Sequence, residues 1–148
     1  MSDQPLDLGN GNTIYQPPIP ADLRQTEPVR AFDAASKAVQ TAIKAKADGA
    51  QNSHHQALDG LAGAYDRIAA HLRQANDYGS TPAAKRDREA FAWAARGLAQ
   101  LHGTTLRMIG FNRSMLASHF ASSPARRAQG HHFNVSPQAM DAASARRA

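Results

Sequence analysis

Imidazoles are the groups in this sequence best suited to hold a metal or move a proton: there are seven histidines, and such groups titrate between about pH 5 and 8. Their spacing does not assemble a centre. Carboxylate metal sites in helical bundles use Glu-x-x-His pairs, and the chain's two glutamates, Glu27 and Glu89, have no histidine at that offset. No His-Glu-x-x-His zinc element occurs, and cysteine is absent, which removes disulfides, thiolate ligands and cysteine nucleophiles. His54, His102, His119 and the pair His131-His132 therefore read as satisfied or solvated groups, with no metal and no cofactor expected. Ser114, Ser118 and His119 lie close in sequence, yet neighbours on a helix diverge by about 100° and nothing beside them would orient the imidazole. No phosphate-binding glycine loop, nucleophile elbow or dinucleotide fingerprint is present. The expectation is a protein that is not an enzyme.

Positive charge is the second chemistry on offer. Lys85, Arg96 and Arg107 recur every eleven residues, three helical turns, and so form a straight basic line, to which Arg86 and Arg88 add at its start. With basic ends at Arg126-Arg127 and Arg146-Arg147, such a line can track phosphates without reading sequence. Lys85, Arg86, Arg96, Arg107, Arg126 and Arg127 are the candidate phosphate contacts. Asp87 and Glu89 interrupt the line, and no helix-turn-helix, zinc-finger, basic-zipper or aromatic RNA-binding signature accompanies it. Nucleic acid is thus the alternative partner. Residues 1–27 hold four acids against Arg24, residues 28–120 twelve Lys/Arg against seven acids, and residues 121–148 four arginines against Asp141. The acidic front can lie on the basic body of its own chain or of a neighbour.

The elements that must position these groups are helical. At 148 residues the chain has room for one domain, and the spacing implies an all-α fold: a three-helix up-down-up antiparallel bundle with a long third helix, an extended N-terminal arm and a short C-terminal helix. Residues 1–25 are the arm, because Gly9-Asn10-Gly11-Asn12 cannot sustain a helix and Tyr15-Gln16-Pro17-Pro18-Ile19-Pro20 favours extended backbone. The bundle spans 26–120. Thr26 and Pro28 open a helix carrying Val29, Phe32, Val39, Ile43 and Ala47, which Asp48-Gly49 closes. Asn52 or Ser53 caps a second with Leu58, Leu61, Tyr65, Ile68, Leu72 and Ala75 on one stripe, closed by Tyr78-Gly79-Ser80. Thr81-Pro82 opens the third, whose seam is Phe91, Ala94, Leu98, Leu101, Thr105, Met108, Asn112 and Met115. Residues 121–148 form a basic tail with a short helix near 137–147.

The third helix has more apolar surface than one seam needs. On a helical wheel Trp93 and Phe111 coincide about 140° from Leu98, and Met108 and Met115 connect the two faces. Trp93, Phe111, Met108 and Met115, with Tyr15, Pro17 and Pro20 of the arm, are the candidate partner interface. Gly103 or Gly110 is where a kink or break is expected. No run approaches the roughly 20 apolar residues of a membrane span, and Met1–Pro5 lacks the basic and apolar regions of a secretory signal. No membrane insertion and a cytoplasmic start are expected, with a virion or signal-independent secretion as destinations. A non-catalytic helical interaction or structural protein of a bacterial or phage assembly, acting through a protein partner or as a homo-oligomer, is the leading expectation. A small basic nucleic-acid-associated protein is the alternative, and a secreted bacterial effector or adaptor the second.

Overall fold

A computed structural model describes residues 3–74 and 81–147. These residues are mostly helical and include a small two-stranded sheet. Ala75 and Tyr78-Gly79-Ser80, expected to finish the second helix, lie outside them. The chain divides into two compact units, one running to Thr105 and one from Leu106; the boundaries drawn from composition, at 25/26 and 120/121, do not fall there.

The first unit opens on a β-hairpin. In place of an extended arm without regular structure, strands β1 (Gln4–Gly9) and β2 (Asn12–Gln16) form an antiparallel hairpin in which Leu6 faces Ile14 and Pro5 faces Tyr15. The residues that forbid a helix are those a tight reversal needs: Gly9, Asn10 and Gly11 all have positive φ, at 96°, 52° and 81°, and Asn-Gly is a strong hairpin signal. Leu8 and Ile14 are buried, so the hairpin contributes to the core.

Three helices follow: α1 (Glu27–Ala47), α2 (His54–Gln74) and α3 (Pro82–Met108). Thr26 occupies the N-cap of α1, but its hydroxyl donates to the Leu23 carbonyl instead of capping. Thr81 does cap α3, accepting from Ala84 N–H at 3.1 Å. α1 ends as expected at Asp48-Gly49: Gly49 has φ 90°, its N–H reaches Lys46 O and that of Ala50 reaches Ala45 O, the Schellman pattern. Val29, Phe32, Val39, Ile43, Leu58, Leu61, Leu98 and Leu101 form the interior. Tyr65 and Ile68 are only half-buried, and Leu72 is 44% exposed, so the α2 stripe leaves the core towards its end.

Glycine sets how closely these elements approach. A Cβ on Gly60 would run into Ala38 of α1, and one on Gly97 into the Phe32 ring and the Gln16 amide. Cross-links between named residues fix the pairing: Arg67 Nε donates to Glu27 at 2.7 Å, His71 Nε2 lies 2.9 Å from Asp87, and Phe32 and Trp93 meet edge to face at 4.9 Å.

The long third helix does not continue to residue 120. It stops at Met108, where Gly110 N–H bonds Arg107 O and Phe111 N–H bonds Leu106 O, with φ of 63° and 56° at Gly110 and Phe111. This is the same Schellman termination as at Gly49. Gly103, the other expected break, stays helical.

The second unit then comprises α4 (Arg113–Ala121), α5 (Pro124–Gln129), a 3-10 turn (Gly130–Phe133) and α6 (Pro137–Arg147). The C-terminal helix thus falls where the sequence places it. The remainder of the expected tail is built into a core: Phe120 is fully buried and stacks on Phe133 at 4.9 Å, with Leu116, Met140 and Ala143 beside them in the buried set.

Candidate partner-binding site

The second unit holds the feature most like a site, and three helix ends create it. Gly110 terminates α3, leaving Phe111 in the left-handed region. Asn112 then caps α4, its side chain accepting from Met115 N–H at 3.2 Å. After the 3-10 turn, Asn134 (φ 58°) reverses the chain, its N–H reaching His131 O and that of Val135 reaching Gly130 O. Ser136 caps α6, accepting from Ala139 N–H at 3.1 Å. Between these ends lies a cavity of about 490 Å³ lined by Leu106, Ile109, Leu116, Ala117, Phe133, Val135 and Ala139, with Phe111, Asn112, Arg113, Asn134 and Ser136 completing the wall. Its volume lies in the range of ligand pockets.

Phe111 is 65% exposed and Met115 is 37% exposed. A bulky side chain at positive φ is an outlier that costs of order 1–3 kcal/mol. Here that backbone state carries an aromatic ring into solvent beside an apolar hollow.

The candidate interface residues are divided between the two units. Phe111 and Met115 belong to the second unit and Trp93 to the first, and the break at Gly110 ends the helical wheel on which Trp93 and Phe111 align. Trp93 is occupied within its own unit: it packs on Phe32, its Nε1 donates to Pro17 O at 2.9 Å, and its carbonyl accepts from Gln16 Nε2 at 2.8 Å. Tyr15 is 52% exposed as a side chain, while its N–H and C=O both bond the Gln100 amide at 2.8 Å. Pro20 is exposed, and Pro17 and Met108 are half-buried.

The basic line is partly taken up by the acidic front of the same chain. Arg96 pairs with Asp3, and Arg86 with Asp22 at 3.2 Å. Lys85 and Arg107 are exposed. In the second unit Arg127 pairs with Asp141, and Arg126 donates to the Ser122 hydroxyl at 2.9 Å.

The histidines stay apart. No group of three or more metal-ligating side chains occurs among the described residues. Burial holds His54 below the ordinary imidazole range, helped by His55 and Lys46 nearby, and burial does the same for His102. His119 is fully buried, edge to face with Phe120 at 4.9 Å. The hydrogen bond from Arg67 holds the Glu27 carboxyl below its usual value.

Sequence reasoning missed the cavity. Its walls come from segments read as a continuous helix and a tail, and the paired signals Gly110 and Asn134-x-Ser136-Pro137 mark where those segments turn. Among the described residues no helix is long and apolar enough to cross a membrane. Comparisons with protein families, with characterised proteins and with solved structures gave no match.

Proposed function

We propose that the chain is a non-catalytic helical interaction protein, a component of a bacterial or phage assembly that acts by holding a protein partner. In this reading the first unit is a three-helix up-down-up bundle that serves as the body. The meeting of Glu27 with Arg67, of Ala38 with Gly60 and of His71 with Asp87 supports that course. Contact is assigned to the second unit.

The observation that carries the reading is Phe111, a 65% exposed ring at positive φ beside an apolar cavity. Exposed aromatics next to a hollow are the usual anchors of protein interfaces. The test is native mass spectrometry of the protein from its own host, parent against Phe111→Ser. A defined complex with a second protein that the variant loses is the expected result. A parent that carries no protein partner overturns the reading.

A second reading has its own support: residues 106–148 hold six arginines against one aspartate, the whole net charge of +5. Binding to phosphates would weaken steeply between 50 and 200 mM salt. An apolar anchor would barely respond.

A further inference from the structure

We infer that the cavity of the second unit receives an acidic amphipathic helix from the partner, with apolar side chains entering the hollow and carboxylates meeting Arg113 and the positive rim. The inference rests on the proposed reading of the chain as a protein binder, and it names the chemistry of what is bound.

Two properties of the cavity select this occupant. Its floor is aliphatic and aromatic, from Leu106, Ile109, Leu116 and Phe133, so the inserted groups must be apolar. Phe111 also lines it and is 65% exposed, so its apolar surface continues outwards beyond what a small molecule seated inside would cover. A helix laid across the opening would bury that ring, the groove-binding mode read as anchors at i, i+3, i+4 and i+7.

Charge then selects the sign of the partner. Arg113 lines the cavity and, among the described residues, makes no ion pair. α4 and α6 both begin at the wall, at Asn112-Arg113 and Ser136-Pro137, and each helix start carries about half a positive charge, against about half a negative charge at the one helix end there, that of α3. The unit as a whole, Arg113 included, carries a net +5. This field attracts a carboxylate-rich helix and disfavours a second copy, since the same face would meet its own charge and residues 1–105 are neutral in sum. Nucleic acid matches the charge but brings nothing to fill an aliphatic floor.

The test uses the full chain and two fluorescein-labelled synthetic helices of about 18 residues, with Leu and Phe at the anchor positions and either Glu or Lys elsewhere. Fluorescence anisotropy near physiological salt is read for both. The Glu peptide should bind at least about tenfold more tightly than its Lys twin, about 1.4 kcal/mol by the usual conversion. Phe111→Ser should weaken the Glu peptide about tenfold or more, and Arg113→Glu should weaken it while strengthening the Lys twin. Both substituted side chains are exposed, and far-ultraviolet circular dichroism checks that helicity is kept. If Phe111→Ser loses helicity, the charge reversal at Arg113 decides alone. Equal binding of the two peptides, or a Glu peptide indifferent to both variants, overturns the inference. Displacement of the peptide at lower concentration by laurate assigns the cavity to a small anionic amphiphile, and by oligothymidylate to nucleic acid; either overturns it too. A native protein complex that survives both variants also overturns this site, yet leaves the broader reading of a protein binder standing.

Discussion

The two units handle charge and packing in opposite ways. Up to Thr105 the eleven Lys/Arg and eleven Asp/Glu cancel, and three arginines pair with acids of the same unit: Arg67 with Glu27, Arg86 with Asp22, Arg96 with Asp3. From Leu106 onwards the cations are all arginine, and the only acid, Asp141, is paired with Arg127. Packing differs as well. The first unit brings elements close at Gly60 and Gly97, whereas the second packs short helices round the Phe120–Phe133 ring pair and keeps a hollow. Self-neutralised charge and close backbones suit a body; unbalanced charge beside an open apolar hollow suits a surface that meets something else.

The largest expected effect tests whether the second unit depends on one aromatic pair. Phe120→Ala should cost about 3–5 kcal/mol, comparable to the whole stability of so small a unit. Hydrogen exchange should show protection lost across α4 to α6 and kept in α1 and α2. Loss in both units together would break the comparison.

Close approach in the first unit is tested by two glycines of α2. Gly60→Ala places a methyl on Ala38 and should cost about 1–3 kcal/mol. Gly63→Ala meets nothing within 4 Å and should stabilise by up to about 1 kcal/mol through helix propensity. Chemical denaturation of the two variants reads the sign directly; equal effects would mean that α1 and α2 do not meet at Gly60.

In the second unit Phe111→Gly should raise stability by about 1 kcal/mol, because glycine tolerates the left-handed backbone, while abolishing partner binding. A variant that is both less stable and still binding would remove the idea that strain is kept there for display.

The smallest effect concerns pH. His54 and His102 are held neutral by burial, so below the ordinary imidazole value of about 6.5 the unfolded chain binds protons that the folded chain resists. Stability of the first unit should therefore fall as pH drops from 7 towards 5. Further loss should follow once the pH passes through the lowered range of Glu27, whose pairing with Arg67 stabilises only the ionised form. His54→Gln with His102→Gln should flatten the first part of that slope.

Local signals made the starts and stops of the helices legible. Thr81-Pro82 and Asp48-Gly49 mark ends through chemistry confined to a few residues, and the structure uses them as such. What periodicity alone could not show was which neighbour covers a face. Leu72 lies on the same stripe as Leu58 and Leu61 yet is 44% exposed, so Leu72→Ala should cost less than about 1 kcal/mol, whereas Leu98→Ala should still cost about 2–5. The hairpin is less legible because glycine and asparagine at residues 9–12 exclude a helix without by themselves fixing a strand pairing, although Leu6, Leu8 and Ile14 alternate around Asn10-Gly11. One helical wheel carried through Gly110 aligns Phe111 with Trp93, whereas the left-handed turn there ends the helix before Phe111.

The Gln100 amide at Tyr15 has a consequence beyond anchoring. A two-stranded ribbon leaves two open edges, each a template on which a strand from another molecule can grow. On the β2 side the side-chain amide of Gln100 takes both the N–H and the C=O of Tyr15, as a third strand would. On the β1 side the residue opposite Tyr15 is Pro5, which has no N–H to offer. The ribbon is therefore obstructed at this register on both flanks, which disfavours growth of the sheet from either edge.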